Sequence, residues 1–254
     1  MTVHDTAPIT AFVGATGGAG TTRTTVEIAA LFAAAGEVVT VCDAAVATQG
    51  LAGYVSDRIE PDVTSLCSDP DQNEVSDAGR QVATTQNVEG QVNVVAAYSS
   101  FEQLARAQTP EAATEFEHLL TEAAHLSDRV LVDVPPLATN LAIAAVNRAE
   151  QALIVSPATI QGSIAVERTQ ERMRDIGSRA DFVISNFGTL ENAEYSLPEA
   201  TTADTVEIPS SSQGSKYTDA ILSVAEGIAR ETVTPEFGTG FLDRLGRLFS
   251  GRGT

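Results

Sequence analysis

Short apolar runs alternating with longer helical patterns restrict the fold of this chain more than any other feature of its sequence. Strand candidates fall at Ile9–Val13, Val38–Cys42, Val92–Ala97, Val130–Asp133, Ala152–Ser156, Phe182–Ser185 and Val206–Ile208. Helical patterns occupy Thr22–Ala35, Phe101–Ala107, Pro110–Leu126, Leu141–Ala149, Ile160–Ile176 and Ser215–Arg230. Nearly continuous apolar strands separated by helices belong to a parallel sheet buried on both faces, and right-handed crossovers make that sheet doubly wound. The expected class is therefore α/β, one mainly parallel sheet with helices on both sides. No Pro/Gly/Ser-rich or charged linker and no internal repeat divides the 254 residues, so residues 9–232 read as one domain after an N-terminal tail at 1–8. The stretch from Ala44 to Gly90 is the least regular and reads as loop with short helices near Leu51–Asp57 and Val63–Cys67.

The first strand and helix are joined by Gly14-Ala15-Thr16-Gly17-Gly18-Ala19-Gly20-Thr21-Thr22-Arg23. Glycines let the backbone turn with positive φ and aim successive N–H groups at one anion, with the positive end of the helix dipole behind them. This is the order of a phosphate-binding loop. Such a loop adds a lysine for the outer phosphates and a Ser or Thr hydroxyl for magnesium. Aligned on Gly20, Thr22 supplies the hydroxyl, and Thr21 stands where the lysine is expected. Arg23 is the nearest cation and the candidate replacement.

In open α/β sheets ligands sit outside the carboxyl ends of the strands. Here the first strand ends in the glycine loop, the second in Asp43, the fourth in Asp133-Val134-Pro135 and the sixth in Asn186. An aspartate at such a strand end holds magnesium directly or through water, and a second orients attacking water. Asp133 is the candidate metal carboxylate, together with the Thr22 hydroxyl, and Asp43 the candidate catalytic carboxylate. An aspartate that only starts a turn or caps a helix is the alternative for each.

With these residues in place the chain resembles the ParA/MinD superfamily of P-loop ATPases, whose loop reads Lys-Gly-Gly-x-Gly-Lys-Thr-Thr. The matching stretch is Thr16-Gly17-Gly18-Ala19-Gly20-Thr21-Thr22-Arg23. Asp43 matches the aspartate after the family's second strand, and Asp133-Val134-Pro135 its Asp-x-Pro. Val183-Ile184-Ser185-Asn186 matches the strand whose asparagine meets adenine, and Ile208-Pro209 an Ile-Pro pair near the last strand. The resemblance implies ATP and magnesium as cofactors, nucleotide contacts from Thr16 through Thr22, Asn186 and Pro209, and a homodimer. It also defines two departures. The family lysine that crosses the dimer is Thr16, and the one that holds the β- and γ-phosphates is Thr21. A neutral hydroxyl cannot offset charge spreading over a phosphoryl group, and losing one preorganised donor costs about 10²–10³ in rate. Binding is thus expected to outlast efficient turnover. The alternatives are a working ATPase that uses Arg23 and a nucleotide-free scaffold for a protein partner.

Charge limits the partners. The chain carries 34 acidic and 15 basic residues, a formal net charge of -19, and a single lysine, Lys216. So acidic a surface repels nucleic acid, and the composition resembles that of proteins from extreme halophiles. Cys42 and Cys67 have no metal-ligand spacing and read as buried thiols of a reducing cytoplasm. His4, His118 and His125 form no cluster, and neither a signal peptide nor an apolar stretch of about 20 residues is found. After a linker at 233–240, residues 241–250 place Phe241, Leu242, Leu245, Leu248 and Phe249 on one helical stripe, with Asp243, Arg244 and Arg247 opposite. Too short to span a bilayer, this tail resembles the membrane-targeting helix of MinD proteins. It implies peripheral attachment at the inner face of the cell membrane.

Overall fold

The computed structural model describes residues 6–70, 74–82, 88–199 and 216–236. Its frame is an eight-stranded sheet in the order β3-β4-β2-β5-β1-β6-β7-β8. The strands are β1 (Ile9–Gly14), β2 (Val38–Asp43), β3 (Arg80–Gln81), β4 (Gln91–Val95), β5 (Arg129–Val134), β6 (Gln151–Pro157), β7 (Phe182–Asn186) and β8 (Tyr195–Leu197). All adjacent pairs are parallel except the edge pair of β3 with β4. Six of the seven expected strands appear in place; Val206–Ile208 lies outside the described residues. The helices are α1 (Thr21–Ala34), α2 (Val63–Ser68), α3 (Val75–Ala78), α4 (Phe101–Arg106), α5 (Pro110–His125), α6 (Asn140–Arg148), α7 (Ile160–Asp175) and α8 (Lys216–Ala229), with a 3-10 turn at Gly50–Tyr54.

Two cores flank the sheet. On one face α1 and α8 pack through Val26, Ile28, Leu31, Phe32, Ile221, Val224 and Ile228. On the other, α2, α5, α6 and α7 contribute Leu66, Phe116, Leu120, Leu141, Val166 and Met173. Helix α1 is buried at every position from Thr24 to Ala34, because it is enclosed between the sheet and α8. That enclosure explains a helix apolar nearly all round.

The elements not expected from sequence are α3, β3 and β8. Each has four residues or fewer, too short for periodicity to register. Strand β8 is fixed by its partners instead: Tyr195 pairs with Ile184, and its ring meets Phe182 edge-on at 5.4 Å. At the far end of the molecule Val233 is buried and the Glu236 N–H donates to Ala34 O at 2.7 Å. The first half of the expected linker thus lies against the carboxyl end of α1.

Candidate nucleotide site

The site begins where β1 ends. From Gly14 the chain turns through Ala15–Gly20 into α1, with Gly18 at φ 74° and Gly20 at φ 81°. Gly20 caps α1 in the left-handed region and, among the described residues, makes no side-chain cap hydrogen bond to the first-turn N–H groups. Those N–H groups therefore remain for an anion. Gly20 is required twice over, since a Cβ there would also lie 2.2 Å from Asn186 Nδ2. Asn186 Nδ2 donates to Ala19 O at 3.0 Å, and its Oδ1 accepts from the Phe187 N–H at 3.0 Å. The carboxyl end of β7 is thereby tied to the loop, which places the expected Asn186 beside Gly20.

Below the loop, the first residues of α1 meet the ends of β2 and β5. Thr22 Oγ1 donates to Asp133 Oδ2 at 2.6 Å. Asp43 is the register partner of Asp133 on the adjacent parallel strand, so both carboxylates lie on the same side of the sheet. Asp43 Oδ1 accepts from the Ala45 N–H at 2.8 Å and Oδ2 from the Ala97 N–H at 3.2 Å. Both aspartates are buried. Burial, reinforced by the charge of Asp133 and opposed by those two N–H groups, pushes the Asp43 carboxyl well above the usual carboxylate range. Burial also raises Asp133, against the pull of the Thr22 hydroxyl.

Asp62 shows what a structural carboxylate looks like nearby. Burial alone would raise it, yet bonds from Ser65, the Tyr98 N–H and Thr64 hold it low. It caps α2 in a reciprocal box with Ser65.

Arg23 is engaged one turn into α1. Its Nη2 lies 2.5 Å and its Nε 2.7 Å from Glu27 Oε1, and the Glu27 side chain is 0% exposed. Tyr54 and Tyr217 add to this cluster: burial raises both phenols, and the Arg23 charge acts against that rise in each. Sequence reading missed Glu27, Tyr54 and Tyr217. The i,i+4 spacing of Arg23 and Glu27 was a usable signal; the tyrosines arrive from a 3-10 turn and from α8, which no local pattern connects.

Thr21, at the lysine position, turns its hydroxyl toward β1, and a Cβ added to Gly14 would stand 2.8 Å from Thr21 Oγ1. Thr16 is half-buried at the rim, while Gly17 and Gly18 are exposed. Pro209 and the tail residues Phe241, Leu242, Leu245, Leu248 and Phe249 lie outside the described residues. A hydroxyl and a buried carboxylate 2.6 Å apart form a hard-oxygen pair that fits magnesium, which takes one or two protein groups and completes its shell with phosphates and water. Among the described residues no group of three or more His, Cys, Asp or Glu is placed to hold a metal, and no helix is long and apolar enough to cross a membrane.

The sequence matches the family described as an AAA domain over residues 7–187. No curated protein matches it. Among solved structures, the septum site-determining protein MinD of Pyrococcus horikoshii OT3, complexed with Mg-ADP, superposes with a TM-score of 0.69 at 19% identity, covering 87% of this chain and 96% of that one. The MinC:MinD cell division complex of Aquifex aeolicus gives 0.67 at 19%, over 90% and 98%. Cobyrinic acid a,c-diamide synthase of Mycobacterium smegmatis, with a bound ATP analog and magnesium, gives 0.69 at 15%, over 90% and 100%. At such identities the likeness is one of fold, and proteins with different tasks share it.

Proposed function

Because the chain belongs to the AAA-domain family matched over residues 7–187 and carries the fold of the ParA/MinD P-loop ATPases, we propose that it binds ATP with magnesium but turns it over slowly or not at all. In this reading it uses nucleotide-dependent association to organise other proteins at a membrane. The carrying observation is the 2.6 Å bond from Thr22 Oγ1 to Asp133 Oδ2 beneath a glycine loop whose first-turn N–H groups are uncapped. In this reading Thr22 and Asp133 would hold magnesium, Asn186 and Pro209 are the expected contacts of the base, and Asp43 would orient water. Bound there, the metal would supply charge neutralisation at the phosphates. The rate is low because threonines occupy both lysine positions.

Engagement of Arg23 by Glu27 weighs against the alternative in which Arg23 replaces the lysine. Structural neighbours solved with Mg-ADP, or with an ATP analog and magnesium, support the cofactors. The MinC:MinD complex supports a protein partner. The tail residues Phe241, Leu242, Leu245, Leu248 and Phe249 supply the membrane contact, and a homodimer strengthens it through avidity. The acidic, lysine-poor composition points to a salt-rich cell.

The test is ATP binding by calorimetry and phosphate release in concentrated KCl with magnesium. Measurable binding with turnover at least about a hundredfold below that of the Thr21→Lys variant agrees with the proposal. Wild-type turnover abolished by Arg23→Ala establishes the working-ATPase alternative, and absence of binding establishes the scaffold.

A further inference from the structure

Phe187 breaks two ordinary rules at once. It directly follows the last residue of β7 with φ at 63°, in the left-handed region that bulky side chains rarely enter. It is also 51% exposed, so burial of the ring does not offset the backbone strain. Such strain persists only where the surroundings over-determine it, and it concentrates at ligand sites. Here the surroundings act from both sides. The Phe187 N–H donates to Asn186 Oδ1 at 3.0 Å, and the Asn186 carbonyl accepts from the Ala158 N–H at 2.9 Å. Beyond it, Ser185 Oγ donates to Gly188 O at 2.9 Å and the Gly188 N–H to Leu197 O at 3.2 Å. The flanking residues fix the backbone, and an aromatic ring is what the turn presents.

It presents that ring at the glycine loop. Asn186 and Phe187 are the two side chains that crowd Gly20, the residue that opens α1. A nucleotide whose phosphates lie on the first turn of α1 has Phe187 beside it. The two neighbours differ in what they can still offer. Asn186 is 5% exposed, and its Nδ2 donates to Ala19 O at 3.0 Å and to Thr24 Oγ1 at 3.5 Å. An amide has two N–H donors and an oxygen with two lone pairs, so both donors are directed into the protein and one lone pair is left. Asn186 ties the corner together, and the face of a base is left to Phe187. Aromatic side chains hold bases by stacking, which any base permits because each has a π face.

We propose that the exposed Phe187 ring, held in a left-handed turn beside Gly20, is the platform on which the base of the bound nucleotide stacks. The inference rests on the nucleotide-binding reading. It adds that the site selects a base-bearing nucleotide over a bare polyphosphate, and that it does so through the face of the base.

The experiment measures the affinities of ATP and of inorganic tripolyphosphate, each with magnesium in concentrated KCl, for the wild type, Phe187→Gly and Phe187→Tyr, together with the Tm of each protein. Glycine suits the left-handed position, so Phe187→Gly removes the ring without lowering Tm. Its ATP affinity falls about 10- to 100-fold, the size of one base–aromatic stack, while its tripolyphosphate affinity stays level. Phe187→Tyr keeps the π face and binds ATP as the wild type does. If Phe187→Gly proves unstable, Phe187→Leu, which keeps the apolar bulk without the π face, must show the same selective loss. In parallel, NMR on the ATP-bound wild type shows nuclear Overhauser contacts from adenine protons to a labelled phenylalanine ring, and Phe187→Leu abolishes them. Unchanged ATP affinity in Phe187→Gly overturns the platform and leaves the nucleotide reading intact; weakened self-association in that variant would then assign the ring to a protein interface. Equal losses for ATP and tripolyphosphate overturn it too, because the ring then shapes the loop and not the base site. Absence of ATP binding by the wild type and by Phe187→Tyr alike overturns the nucleotide reading itself, and the platform with it.

Discussion

Arg23→Ala separates a structural arginine from a phosphate-binding one. The guanidinium meets Glu27 Oε1 through Nη2 at 2.5 Å and Nε at 2.7 Å, with side-chain exposures of 19% for Arg23 and 0% for Glu27. Taking the cation away from a buried carboxylate costs about 3–5 kcal/mol. Because part of Arg23 reaches solvent, screening brings the expected loss to the low end, about 3 kcal/mol. For a chain of this size that lowers Tm by about 6–12 °C. Glu27→Gln alone removes the same pair from the other side. In the double variant the buried charge no longer needs a cation, so the losses are not additive, and the coupling is about 2 kcal/mol. The assay is urea denaturation of the four proteins in the double-mutant cycle at fixed KCl, with ATP affinity measured on the folded forms. The reasoning fails if Arg23→Ala costs less than about 1 kcal/mol while ATP affinity falls tenfold or more. That pattern would put the guanidinium on the phosphates.

Four further outcomes are expected. Gly20→Ala forces a side chain into the left-handed region, at about 1–2 kcal/mol, and onto Asn186 Nδ2; denaturation should show at least that loss, and Asn186→Ala should relieve part of it. Asp43 and Asp133 are raised by burial, so folding favours their protonated forms. Their contribution is full below about pH 4 and is lost as pH rises through the folded-state values. In EDTA, stability should therefore decline from about pH 4 upward, and Asp43→Asn should flatten the decline; a wild-type curve that rises with pH would contradict this. Burial drives the thiols of Cys42 and Cys67 far up, so a colorimetric thiol reagent should label neither in the native protein and both after denaturation. Vesicle co-sedimentation with and without residues 240–254 tests the tail, and unchanged pelleting would end the membrane reading.

What was legible in the sequence divides along a physical line. The strands β1, β2 and β5 to β7 could be read because a strand buried on both faces is mostly apolar, and Ile9–Gly14, buried at every position with Thr10 its one polar side chain, shows this, while half-buried β4 was legible from its valines. The carboxyl-end rule then placed Asp43, Asp133 and the loop on one side of the sheet, and the register of Asp43 with Asp133 followed from their both ending central strands. What could not be read depends on side chains meeting across the fold. Nothing local announces that Tyr217, on the last described helix, interacts electrostatically with Arg23 and Glu27 on the first. Nor does it announce that Asn186 presses so close to Gly20 that only glycine fits.

The two buried acids also bear on the proposed nucleotide site. Asp43 has a structural task, because each of its oxygens accepts a backbone N–H, from Ala45 and Ala97. Asp133 differs. Its described hydrogen bond comes from the Thr22 hydroxyl, and a neutral asparagine oxygen accepts such a bond equally well while avoiding the cost of a buried carboxylate beside a second one. The negative charge of Asp133 is therefore more than the fold requires, and it weakens the nucleotide-free protein. A chain serving only as a rigid platform gains nothing from that charge, whereas one that receives a cation there recovers the cost on binding. The Thr22 and Asp133 pair therefore supports the proposed site, one that takes a metal ion together with its nucleotide.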